Sequence, residues 1–198
     1  PERYERIGHV LFCKDWLRFC LTGILATDPT EASSSFTDVR TQRYGDDVLN
    51  LYGLVSIGPA LPDIVPSTAC AGNVTARAAA QTGLMEGTPV ACGMHDVTSS
   101  ALGMGITEPG TLSITAGTFS INEILSSHPQ LDSRWACRSG MRSGQWMNMS
   151  ISPASSSSVD WFLREFFAHE AQQATRRGCS LFDLISDELQ AAFAEPSS

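Results

Sequence analysis

Thr88-Pro-Val-Ala-Cys-Gly-Met-His-Asp96-Val-Thr-Ser-Ser-Ala-Leu-Gly103, followed by Leu112-Ser-Ile-Thr-Ala-Gly117-Thr118, is the stretch on which the reading of this chain turns. A short apolar strand runs into a glycine, an acidic residue opens a helix of small residues, and a second strand ends in Ala-Gly-Thr. That order brings one carboxylate and one glycine turn to neighbouring strand ends. A carboxylate can take a proton from a hydroxyl, and a turn of backbone N–H groups can hold a phosphate. Together they meet the needs of phosphoryl transfer to an alcohol. Taken singly, each residue also has an ordinary explanation. Aspartate is a favoured helix N-cap, His95 reads as a packed histidine, and Gly117-Thr118 serves equally as the turn of a hairpin.

Upstream, Ile7, Val10, Leu11, Lys14, Leu17, Arg18 and Leu21 follow helical spacing up to Thr22-Gly23. Asp28 before Pro29 reads as a cap followed by proline at the first helical position. An amphipathic segment covers Asp46 to Tyr52, and Gly58-Pro-Ala-Leu-Pro-Asp-Ile-Val-Pro66 holds three prolines, which makes it an ordered linker rather than regular helix. Thr75 caps an alanine-rich helix over Ala76 to Thr82, closed by Gly83, and Val90 to Cys92 is a strand. Downstream, Thr111 to Thr115 and Ser120 to Leu125 read as a hairpin, and Trp135 to Met149 as further antiparallel sheet. Ser157-x-x-Asp160 ahead of Trp161-Phe162-Leu163 resembles a capping box, and a last helix spans Leu181 to Phe193. Strands alternating with helices, then a meander, make this an α/β chain with a mixed sheet. The composition shift at Gly83 to Thr88 sets the expected domain boundary between residues 1–84 and 85–198.

The 198 residues, 42% hydrophobic and 17% charged, suffice for a sizeable core. A net charge of −8 opposes nucleic acid and anionic membrane surfaces. No apolar run approaches the roughly 20 residues of a membrane span. Neither kind of partner is expected, and a cytoplasmic location is. Cys13, Cys20, Cys70, Cys92, Cys137 and Cys179 form no Cys-x-x-Cys pair and no zinc-like cluster with His9, His95, His128 or His169. Reduced, mostly buried thiols are expected in place of a metal site or disulfide framework. Gly140-Met-Arg-Ser143-Gly144 has the wrong spacing for a nucleophile elbow. Neither a Gly-x-x-x-x-Gly-Lys phosphate loop nor a dinucleotide fingerprint is present.

Four segments in order carry a family likeness: Phe12-Cys-Lys-Asp-Trp-Leu-Arg-Phe-Cys-Leu-Thr-Gly23, Ala26-Thr-Asp-Pro-Thr-Glu-Ala-Ser33, Gly87-Thr-Pro-Val-Ala-Cys-Gly-Met-His-Asp96 and Ile114-Thr-Ala-Gly-Thr-Phe-Ser-Ile-Asn-Glu123. Together they resemble the FGGY carbohydrate kinases, and within these the xylulose kinase branch, particularly its L-xylulose kinase-like members. The likeness runs from about Ile7 to Phe167.

The resemblance implies an actin-like ATPase fold of two ribonuclease H-like domains, with sugar and ATP meeting between them. Residues 1–84 would be the end of the first, sugar-side domain, and residues 85–198 the start of the second, ATP-side domain. Asp96 would be the general base for a hydroxyl of a ketopentose such as xylulose, or of a similar polyol. His95, at a position often held by glycine in xylulose kinases, would lie beside it at the substrate. Gly117 and Thr118 would contact the ATP phosphates, and Mg²⁺ would neutralise the transferring group. Asp28 and Thr30 fall near the sugar side with no assigned contact. The chain lacks the family's N-terminal Asp-x-Gly-Thr-type loop and its C-terminal adenosine site. An internal fragment, inactive alone, is therefore expected, and one that forms homo-oligomers through exposed sheet edges and helix faces. The alternative is a non-catalytic binding or scaffolding module of actin-like fold; the presence of both Asp96 and the Gly117-Thr118 turn argues against it.

Overall fold

The computed structural model describes residues 3–194. After a 3-10 turn at Tyr4–Arg6 come α1 (Cys13–Thr22), β1 (Ala26–Thr27), α2 (Pro29–Ala32), β2 (Thr37–Asp38), β3 (Arg43–Tyr44) and α3 (Asp46–Leu51). A second 3-10 turn, Val55–Ala60, leads to β4 (Asp63–Ile64), β5 (Cys70–Asn73), α4 (Ala76–Thr82), β6 (Pro89–Ala91) and α5 (Asp96–Gly103). Then follow β7 (Leu112–Ala116), β8 (Ser120–Ser126), β9 (Ala136–Ser139), β10 (Trp146–Ser152), α6 (Ser156–Phe166), α7 (Ala168–Arg177) and α8 (Leu181–Ala194). Two compact units divide these elements, residues 3–114 with 121–151 and residues 115–120 with 152–194.

In the first unit local chemistry sets most helix ends. The Asp28 carboxylate accepts the Thr30 and Glu31 amides at the start of α2, with Pro29 in its first turn. Thr75 caps α4, and Gly23 and Gly83 end α1 and α4 in the left-handed conformation. Helix α1 starts at Cys13 rather than near Ile7, because the Val10 N–H is drawn to the Ala60 carbonyl at 3.0 Å. Asp96 is the first residue of α5 and not its N-cap, the position His95 takes without a side-chain cap bond. The proline-rich linker is ordered as expected, but it also contributes β4, which pairs in parallel with β1. Close packing of β5 on the end of α1 needs a glycine: Gly72 has a φ of 106°, and a Cβ there would stand 2.9 Å from Thr22 Cβ and Ile24 Cγ1.

A four-stranded sheet in the order β7-β8-β10-β9 follows α5. β9 and β10 are antiparallel, with Arg138 opposite Met147. Ala101 and Ile106 pack with Leu125, Met147 and Met149 to form the buried core that joins α5 to this sheet. Mixed α/β architecture is thus what the alternation of patterns led one to expect. None of the six cysteines is disulfide-bonded, but Cys13, Cys20, Cys70 and Cys179 are exposed and only Cys92 is fully buried. The expectation of mostly buried thiols fails because the segments carrying those four turn them outward.

The second unit is helical. A helix does form ahead of Trp161, but it starts at Ser156 with Ser155 as N-cap and no side-chain cap bond, so Ser157 lies inside it and the capping box expected at Ser157 and Asp160 is not realised. Ala174 and Leu184 are buried, while Trp161, Phe162, Phe166 and Phe182 are exposed. Phe162 and Phe166 stack at 5.0 Å, and Trp161 meets Phe166 edge-on at 5.9 Å. Among the described residues no helix is long and apolar enough to cross a membrane.

Candidate active site

Helix α1 places Lys14, Asp15 and Arg18 on its inner face, the (i, i+1, i+4) pattern that meets a neighbour on one side. Asp15 and Asp28 are wholly buried, so each needs compensation from cations or donors. Arg18 Nη1 donates to Asp15 Oδ1 at 3.0 Å and to the Cys92 carbonyl at 3.1 Å, and its Nη2 donates to the Ala26 carbonyl. Lys14 Nζ donates to Asp15 Oδ1 at 2.8 Å, Asp28 Oδ1 at 3.0 Å and the Cys92 carbonyl at 3.3 Å. Burial alone would pull the Lys14 ammonium down, but its hydrogen bond to Asp15 and the Asp28 charge raise it above the ordinary lysine value. Thr27 Oγ1 donates to Asp15 Oδ2 at 2.6 Å.

From Asp28 the network runs to the start of α5. Asp28 Oδ2 accepts from Thr30 Oγ1 at 2.6 Å and Ser67 Oγ at 2.7 Å, and Thr30 Oγ1 in turn accepts the His95 N–H at 2.8 Å. The end of β6 and the residue before Asp96 are thereby tied to α1 and α2 through buried side chains.

At the end of this scaffold the Asp96 side chain is 89% exposed. Its Oδ1 accepts the Val97 N–H at 2.7 Å and lies 3.2 Å from His95 Nδ1. On the other side of the ring, Arg138 Nη1 stands 3.2 Å from His95 Nε2. Burial, then the Arg138 charge, hold the imidazole below the ordinary histidine value. Burial also raises the Glu31 carboxyl, with the Lys14 charge opposing it. Burial raises Glu123 too, against its hydrogen bond from Ser113. An accessible carboxylate at the start of a helix whose preceding backbone is anchored can accept a proton from a hydroxyl.

Gly117 and Thr118 belong to the second unit. The Gly117 N–H closes onto the Phe119 carbonyl at 2.9 Å. The Gly117 carbonyl accepts Ser156 N–H at 3.0 Å and Ser156 Oγ at 2.6 Å, and the Thr118 carbonyl accepts Ser155 N–H at 3.2 Å. Nothing in the chain itself demands glycine at 117: its φ is not positive, and a Cβ would meet only Phe119 O at an ordinary 3.7 Å.

Sequence reasoning named His95, Asp96, Gly117 and Thr118, and His95 and Asp96 do share one cluster. It missed Arg138, for which no local pattern exists. It placed Lys14 and Arg18 on a helical stripe and in a motif without giving them a role at the site, although their spacing around a buried Asp15 is a usable signal.

The model of the FGGY family of carbohydrate kinases, N-terminal domain, matches residues 1–103. The chain belongs to the FGGY family of carbohydrate kinases. A probable L-xylulose kinase of Pasteurella multocida is 34% identical over 177 residues, covering 85% of this chain and 36% of that protein. An erythritol kinase of Brucella abortus is 43% identical over 106 residues, covering 54% of this chain and 20% of that protein. Among solved structures, the xylulose kinase from Rhodospirillum rubrum aligns with a TM-score of 0.77 and 29% identity over 88% of this chain and 36% of that one. This FGGY chain thus has part of an actin-like ATPase fold, and it spans about a third of the length of the curated L-xylulose kinases it matches.

Proposed function

We propose that this FGGY chain is part of an ATP-dependent sugar kinase that phosphorylates a hydroxyl of a ketopentose such as xylulose, or of a similar polyol, with Asp96 as general base. The observation that carries the reading is an exposed carboxylate at the start of α5, next to a backbone amide that a buried ionic network holds in place. Asp96 takes the proton of the acceptor hydroxyl, the oxygen bonds to the γ-phosphorus, and the bond from that phosphorus to the bridging oxygen breaks, releasing ADP. His95 lies at the same substrate position.

Gly117 and Thr118 are assigned to the nucleotide phosphates. Support comes from a glycine that its own chain does not need, as fits a backbone approached closely by a ligand. Bound Mg²⁺ would supply neutralisation of the transferring group. Among the described residues no three His, Cys, Asp or Glu side chains converge on a common point, which suits an ion carried by phosphates and water in preference to a protein cage. None of these carboxylates is assigned to it.

The two-domain division is part of the proposal. Residues 1–84 are assigned to the end of the sugar-side domain and residues 85–198 to the start of the ATP-side domain. Self-association belongs to it as well, supported by the exposed aromatic cluster on α6; light scattering that returns a monomer mass would remove it. Because the matched relatives are about three times longer, these 198 residues alone are expected to give no sugar phosphate.

The test is a coupled assay of ADP release by the full-length protein against a panel of pentuloses and tetritols. Sugar-stimulated turnover that falls by about 100-fold or more in Asp96→Asn supports the assignment. Turnover unchanged in Asp96→Asn would end it.

A further inference from the structure

Two neighbours decide where the proton sits on His95. An arginine offers donors only. With Arg138 Nη1 at 3.2 Å, Nε2 must be the acceptor, so the single proton of the neutral ring is on Nδ1. Nδ1 is buried and makes no aligned hydrogen bond, although Asp96 Oδ1 is only 3.2 Å away. The His95 backbone is fastened to Thr30 Oγ1, and the ring, only 18% exposed, is held by Arg138 at Nε2. The exposed Asp96 carboxylate is the partner with room to turn, and a small rotation brings Oδ1 into line.

We propose that Arg138 is a positioning residue: it holds His95 as the neutral Nδ1–H imidazole, whose N–H fixes Asp96 through Oδ1 and leaves Oδ2 to meet the substrate hydroxyl. This rests on the reading of Asp96 as the base. It adds a residue from β9 that touches neither sugar nor nucleotide and acts only through the ring.

The charges around the ring agree with this arrangement. Burial is the largest influence keeping His95 unprotonated. Arg138 on β9 and Lys14 on α1 act in the same sense, against Asp96 on α5 and Asp28 before α2. Burial lowers the Arg138 guanidinium below its ordinary value, with Glu31 on α2, Asp96 and Glu123 on β8 opposing that in part, and an arginine stays cationic. An imidazolium would turn an N–H toward the Arg138 N–H, so protonation breaks the arrangement. Removing Arg138 raises the histidine pKa and frees Nε2 to carry the proton. The acid limb of the rate profile then moves to higher pH.

The test uses the full-length protein with ¹⁵N-labelled histidine. In the wild type, ¹⁵N shifts should give the Nδ1–H form with an apparent pKa below the ordinary 6.5. Arg138→Met should shift the proton to Nε2, raise that pKa, and lower kcat about tenfold with sugar KM changed less than about twofold. Arg138→Lys, which keeps a donor and a charge, should recover part of the rate. His95→Asn, whose amide reaches the Nδ1 position, should outperform His95→Gln. An Nε2–H ring in the wild type, a titration unmoved by Arg138→Met, or a loss confined to KM would overturn the proposal. If the ring behaves as described but the wild-type protein shows no sugar-dependent turnover, the base reading falls and the tautomer assignment stands.

Discussion

Between α1 and Asp96 the chain is held by side chains: Asp15, Asp28, Arg18, Thr30 and Ser67 are closed over by protein and hydrogen-bonded to one another or to nearby carbonyls, with only Arg18 Nε left without a partner among these groups. The Gly117-Thr118 turn is held by backbone amides and by one serine hydroxyl, in a unit whose large aromatic side chains remain exposed. On the proposed reading of Asp96 as base, the buried charges fix the backbone that carries it, while the carboxylate itself stays exposed. A turn that only has to present donors to an anion does well with light fixings. The cost also differs, since a buried ionic network is stable only when every member is present.

That contrast sets the order of effects. Asp28→Ala, which leaves Lys14, Thr30 and Ser67 without their acceptor, should destabilise the protein by about 3–5 kcal/mol in urea unfolding. A loss below about 1 kcal/mol would mean that the network is not what holds this unit. Ser156→Ala removes the one side chain that, among the described residues, fastens the Gly117 carbonyl, and should cost about 1 kcal/mol. Should it match Asp28→Ala, the distinction between the two regions disappears.

Glu123→Gln should act in the opposite direction. Burial raises this carboxyl above its ordinary 4.5, so the unfolded chain ionises first as pH rises, and stability is lost from pH 4.5 upward through the folded value. The glutamine variant should therefore melt higher than wild type at pH 8 and no differently at pH 3.5, a comparison that thermal scans at the two pH values make directly. Gly117→Ala should give the smallest change in stability, within about 0.5 kcal/mol. Nucleotide affinity of the full-length protein, measured by calorimetry, should nonetheless drop.

How much of this could be read from the chain follows from the range of the interactions. Asp28-Pro29, Thr75, Gly23 and Gly83 act within a turn or two of themselves, and each ends a helix where its type dictates. His95 and Asp96 are neighbours in sequence, so their pairing needed no fold. The β1–β4 ladder joins residues across a proline-rich segment, and nothing in Asp63-Ile64 marks them as a parallel partner. Arg138 reaches His95 from a different strand, 43 positions away, and an arginine alternating with small residues looks like any half-exposed strand position. Asp96 was misjudged by one position because an aspartate suits both the cap and the first turn of a helix.

Thr30 uses its one hydroxyl twice, accepting from the His95 amide and donating to Asp28. The whole line therefore has a direction. It begins at a peptide N–H, which does not release its proton, and ends on a carboxylate surrounded by donors. Such a line transmits position and carries no charge: it is a strut and an electrical insulator. The strut stops at the His95 backbone, and the Asp96 carboxylate beyond it stands in solvent, so on the proposed reading of Asp96 as base its proton is exchanged with the medium and not along this line.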